Sequence, residues 1–127
     1  MVFADTFYFL AFLDRRDAHH QRALDFATRF RGTLVTTRWV LAEVANALGD
    51  SPVRTAAARF LRRVADDAGF RIILGSDALY DRGLDLYDAR PDKEWSLTDC
   101  ISFLVMADEG LTGDRHFEQA GFKGLLI

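Results

Sequence analysis

Cysteine occurs once in the 127 residues, at Cys100. That excludes an internal disulfide framework and a cysteine zinc site, and the residue's place in an apolar helical stretch points to ordinary packing. Lysine is almost as scarce, found only at Lys93 and Lys123. The formal net charge is -3 and the pI about 5.5, so bulk positive charge does not hold this chain to nucleic acid. Its cations are nearly all arginine, whose bidentate grip still permits a local phosphate-binding face. Long apolar runs are missing too: Phe7 to Leu13 is far too short to span a membrane. No basic segment precedes the first apolar run, which Asp5 interrupts, so no secretory leader is legible and the cytoplasm is the expected location. With no repeat, low-complexity tract or linker, residues 1–127 are expected to form one domain. Half of the residues are hydrophobic and eleven are Phe, enough for a substantial core.

What is present is organised around the start of the chain. Val2-Phe3-Ala4 reads as a short buried strand that stops on Asp5, and the uniformly apolar Phe7 to Leu13 as a buried helix beginning near Thr6. Asp5 thus falls at the carboxyl end of a strand, the edge where ligands bind in open α/β sheets. Equally, its carboxylate can cap the helix that follows. Next come a helix from a cap at Asp17 to Phe30, a strand at Thr33 to Thr36, and a helix from Thr37 to Leu48, ended by Gly49. Ser51-Pro52 reads as the start of a further helix with proline at its first position. Phe70 to Leu74 reads as a strand, Ser76 or Asp77 as a helix start with Leu79, Leu84, Leu86 and Tyr87 inward, and Ser96 as the cap of a last strongly apolar helix. A minimal strand, Asp114 at its end, a short helix and a final strand complete the pattern. Strands alternating with helices argue for a parallel sheet covered by helices.

Two features suggest metal chemistry and are set aside. His19 and His20 are adjacent, and neighbouring residues on a helix diverge, so a structural or solvent-facing role fits better than shared ligation. Asp81, Asp85 and Asp88 line one helix, but Arg82 and Arg90 flank them and no strand end is near, so they read as solvated surface. Glu43 differs: its neighbours at helical spacing are Trp39, Val40, Asn46 and Ala47, with no basic partner. Asp5, Asp114, Glu43 and Asp99 can then share one sheet edge. Carboxylates so gathered are costly to ionise together without a cation. An oxygen-only ligand set suits Mg²⁺ or Mn²⁺, which activates water and stabilises phosphoryl oxygens. Capping explains each Asp singly but leaves Glu43 unexplained.

The ordered set Ala4-Asp5-Thr6, Thr36-Thr37-Arg38-Trp39-Val40-Leu41-Ala42-Glu43-Val44, Ser96-Leu97-Thr98-Asp99-Cys100 and Leu111-Thr112-Gly113-Asp114-Arg115-His116-Phe117 resembles the PIN-domain ribonucleases, and within them the VapC-like toxins of toxin-antitoxin pairs. Asp17 to Ala23 is similar to the family's second helix. The resemblance covers essentially the whole chain. It implies an α/β, PIN-like three-layer fold with a central parallel sheet flanked by helices. It also implies a catalytic and metal-binding quartet of Asp5, Glu43, Asp99 and Asp114 holding Mg²⁺ or Mn²⁺, with Thr6 and Thr112 as small polar neighbours. The implied activity is hydrolysis of RNA phosphodiester bonds, in a homodimer inhibited by a cognate antitoxin protein. Arg38 and Arg115, close in sequence to these motifs, are the expected phosphate contacts.

One departure stands out: the segment between the Asp99 helix and Asp114 is about four residues shorter than the family's usual length. The helix carries the chain roughly 14 Å from Asp99 by Asp108, and the extended return to Asp114 offers at most about 17 Å. The competing reading is therefore a non-enzymatic module of the same fold, kept for dimerisation or protein binding. A phosphoacceptor receiver domain does not fit, because Asp5 is unpaired and the strand at Phe70 leads to Gly75-Ser76 rather than to an Asp.

Overall fold

Phe3 and Val35 pair side by side at the centre of a three-stranded parallel sheet, and the helices are arranged on that sheet. A computed structural model of the chain describes residues 1–111. Its elements run β1 (Val2–Phe3), α1 (Thr6–Leu13), α2 (His20–Arg29), β2 (Leu34–Thr37), α3 (Arg38–Ala47), α4 (Arg54–Val64), β3 (Phe70–Ile73), α5 (Asp77–Ala89) and α6 (Leu97–Asp108). The sheet order is β1-β2-β3, with Val2 opposite Leu34 and Leu34 opposite Phe70. Strand β2 lies between its neighbours and is buried at all four positions, as a parallel strand must be when helices cover the sheet.

The core is aromatic. Phe9 lies 6.1 Å from both Phe60 and Phe70, centroid to centroid, joining α1, α4 and β3, while Tyr8 meets Phe26 edge to face at 5.8 Å and brings in α2. Each such side chain contributes on the order of 1.5–3 kcal/mol when fully buried. The apolar run of α1 is nevertheless not wholly inside: Phe7 is 72% exposed. Tyr8, Phe9 and Ala11 take the inward directions, and the roughly 100° step per residue turns Phe7 out.

Several boundaries differ from the sequence expectation, each for a local reason. Asp17 spends its carboxylate on the His19 N–H at 2.8 Å in a turn, so α2 begins at His20 rather than beside Asp17. His20 is structural: its Nδ1 lies 2.7 Å from the Ala11 carbonyl, tying α2 to α1, while His19 is exposed. Ser51 likewise accepts from the Val53 N–H at 3.0 Å in a tight turn, which delays α4 to Arg54 and leaves Pro52 outside it. Inward positions shift as well. Leu84 and Tyr87, expected inward, are exposed, and on α2 the buried positions are Ala23 and Phe26.

On α5 the buried positions are Leu79 and Gly83, because α5 and α6 approach so closely that a Cβ at 83 would collide with Ile101 Cγ1. Two bidentate pairs add to the join around α6: Arg82 with Asp108, and Arg71 of β3 with Glu109. Helix α6 ends in a Schellman turn. Gly110 takes φ +67°, its N–H donates to Ala107 O at 3.2 Å, and the Leu111 N–H donates to Met106 O at 2.7 Å. The chain reverses within one glycine, and Leu111 is already buried.

Candidate acidic site

Strand β1 is only two residues long, so the backbone leading to Asp5 needs further support. The Ala4 N–H extends the ladder to Val35 O at 2.8 Å, and buried Thr36 donates its hydroxyl to Ala4 O at 2.9 Å. Asp5 follows in extended conformation and its Oδ1 accepts the Tyr8 N–H at 3.0 Å, so it is the N-cap of α1. Asp5 is buried, only 6% of the residue being exposed. Burial pushes its pKa up from 3.8 to about 6; the Tyr8 N–H pulls the other way, and the charges of Asp99 and Glu43 push it further up.

Asp99 is placed by a capping box. The Ser96 hydroxyl accepts the Asp99 N–H, and Asp99 Oδ2 accepts the Ser96 N–H, both at 3.0 Å. This fixes a half-buried carboxylate in the first turn of α6. Glu43 is half-buried in the middle of α3, between buried Val40 and Val44. Next to Asp99, Cys100 is fully buried; burial first, and then the Asp99 charge, raises its thiol pKa, which suits packing and not nucleophilic chemistry.

The predicted residues are therefore partly assembled. Asp99 and Glu43, from two elements distant in sequence, each act electrostatically on Asp5 at the carboxyl end of β1. Among the described residues no three acidic, histidine or cysteine side chains are drawn together tightly enough to hold a metal ion. Thr6 is half-buried at the first position of α1, and Arg38 is exposed at the first position of α3. Thr112, Asp114 and Arg115 lie outside the described residues. The donor chemistry of the assembled three still fits a hard divalent cation: all donors are oxygens, and no described cation is among the groups acting on Asp5.

Sequence reasoning missed one feature at this edge, the exposed Phe7 in the first turn of α1. A continuous apolar run carries no sign of which member is left out. No described helix is long and apolar enough to cross a membrane.

A search of curated proteins found no match. Among solved structures, VapC20 of Mycobacterium tuberculosis, described as a sarcin-ricin loop cleaving toxin, superposes with a TM-score of 0.81 at 23% identity, over 97% of each chain. The PIN domain family model matches residues 2–123. The fold, the carboxylates at the strand edge and a family match spanning almost the full length agree, and the chain belongs to the PIN-domain family.

Proposed function

We propose that this protein is a divalent-metal-dependent endoribonuclease that hydrolyses RNA phosphodiester bonds, and that it is the toxin of a toxin-antitoxin pair. The observation that carries the proposal is the buried Asp5 with Asp99 and Glu43 acting on it, in a PIN-family chain. Asp5, Glu43, Asp99 and Asp114 would hold Mg²⁺ or Mn²⁺. When bound, the ion supplies a lowered pKa for an attacking water and counter-charge for the phosphoryl oxygens. The chain's own contribution is pre-orientation. Tyr8 N–H fixes one oxygen of Asp5, Ser96 N–H fixes one of Asp99, and neither carboxylate has to be ordered when the reaction begins. Thr6 and Thr112 serve as polar neighbours, and Arg38 and Arg115 as grips for the RNA phosphates. A homodimer in the cytoplasm, held inactive by an antitoxin protein, completes this reading.

VapC20 is described as cleaving the sarcin-ricin loop, which makes that structured RNA loop the first substrate to try. The test is cleavage of this hairpin, and of a total cellular RNA pool, by purified protein with Mg²⁺ or Mn²⁺, beside EDTA and Asp5→Asn controls. Discrete metal-dependent products that vanish in the variant support the proposal. A folded, antitoxin-free protein that cleaves neither substrate favours the second reading, a PIN-fold module for protein binding. The short segment between the Asp99 helix and Asp114 is the observation on its side.

A further inference from the structure

Phe7 is the most exposed large apolar side chain among the described residues, at 72%, and no described aromatic ring lies against it. It follows Asp5 by two residues, so its Cα is at most about 7.6 Å from that of Asp5. Phe7 lies in the first turn of α1, and the N-terminus of that helix is at the carboxylate edge, so an exposed ring stands within reach of whatever RNA approaches that edge.

The surroundings indicate what such a ring meets. The chain is acidic overall, and its candidate centre gathers like charges. Phosphate attraction alone is therefore a poor means of holding RNA there. Base stacking is independent of charge and available to every base, since each has a π-face. The contrast with α5 is informative: Tyr80, Leu84 and Tyr87, all exposed, form a stripe at helical spacing of the kind a protein surface covers. Phe7 is a single planar ring beside half-buried Thr6, matched in size to one base.

We propose that Phe7 is a substrate-binding residue whose ring stacks on a nucleobase next to the scissile phosphate. This rests on the ribonuclease reading above and adds to it the contact that holds a base at the site.

The experiment measures binding of a fluorescein-labelled sarcin-ricin hairpin and of a mixed-sequence single-stranded 12-mer, in the full chain carrying Asp5→Asn with Mg²⁺ present. Phe7→Ala and Phe7→Leu should each weaken binding on the order of tenfold, within the range seen when a stacking aromatic is truncated. Phe7→Trp should bind as well as Phe, with its indole emission quenched by RNA. The slope of affinity against salt should not change, because no phosphate contact is lost. In the chain with Asp5 intact, Phe7→Ala should raise KM and leave kcat unchanged.

Equal RNA binding by Phe7→Ala, in a chain that still cleaves RNA, overturns the stacking role and leaves the nuclease standing. Equal binding together with loss of self-association in sedimentation also overturns it and assigns the ring to a protein contact. A chain that neither binds nor cleaves RNA removes both proposals. Melting curves of all three variants, expected to match the parent because the side chain is exposed, separate these results from misfolding.

Discussion

Replacing Asp5 with Asn should make the metal-free protein more stable while removing the proposed activity. The folded protein holds the Asp5 proton more tightly than an unfolded chain does, with a pKa of about 6 against 3.8. Ionising it therefore costs folding free energy. The penalty is absent below pH 3.8, grows between 3.8 and about 6, and is constant above. At pH 7.5 it amounts to about 3 kcal/mol, and at pH 4.5 to about 1 kcal/mol. Asparagine caps a helix as well as aspartate, so the Tyr8 N–H keeps its partner. Losing the carboxylate's attraction to the helix end subtracts about 0.3–1 kcal/mol. A net gain of about 2 kcal/mol remains at pH 7.5, equivalent to about 8 °C in Tm for a chain of this size, and about 1 kcal/mol at pH 4.5, where the folded carboxyl is already protonated and has no such attraction to lose. Urea unfolding of both proteins in EDTA at the two pH values measures this. A variant no more stable than its parent at pH 7.5, or a gap that does not change with pH, would refute the account of Asp5 as a buried carboxylate pressed by like charges.

Millimolar Mn²⁺ should raise the Tm of the parent, by the equivalent of about 2.7 kcal/mol at one hundred times the dissociation constant, and leave Asp5→Asn unmoved; thermal-shift titration reads both. Glu43→Gln should weaken Mn²⁺ binding more than the roughly 10- to 100-fold typical of groups that only orient a ligand, with little change in Tm because the side chain is half-exposed; calorimetric titration decides it. Ser96→Ala should cost about 1 kcal/mol by removing one arm of the capping box, measured by urea unfolding. Gly110→Ala should cost about 1–2 kcal/mol in the same assay, purely from the left-handed backbone, because an added Cβ there meets nothing within 4 Å.

The alternation of strands and helices was legible in the sequence because capping residues and glycines punctuate it. Thr37, Ser76 and Ser96 each cap the helix expected of them. Where Asp17 and Ser51 had a second use, bonding an N–H two residues on, the sequence could not say which geometry would win. The inward face of α5 was misread for a different reason: its closest approach to α6 is made by the residue with no side chain, and hydrophobic patterning passes over a glycine. Asp5 was legible both as a cap and as a candidate site residue, and it caps α1, while Asp99 takes the first-turn place in the Ser96 capping box that its spacing suggested. Glu43 was legible as the carboxylate that capping leaves unexplained and that could share an edge with Asp5, and its charge does act on Asp5.

The contact at Gly83 reaches beyond packing. Helix α5 rests directly on Ile101, two residues from Asp99 on the same helix, so the spacing between α5 and α6 helps to set where the Asp99 charge stands. Asp5 feels that charge. Its titration is thus a gauge of helix spacing, readable from a residue on another element. A side chain introduced at position 83 meets Ile101 rather than any of the acids, and where the helices part to make room for it, a change in the Asp5 titration is the expected sign.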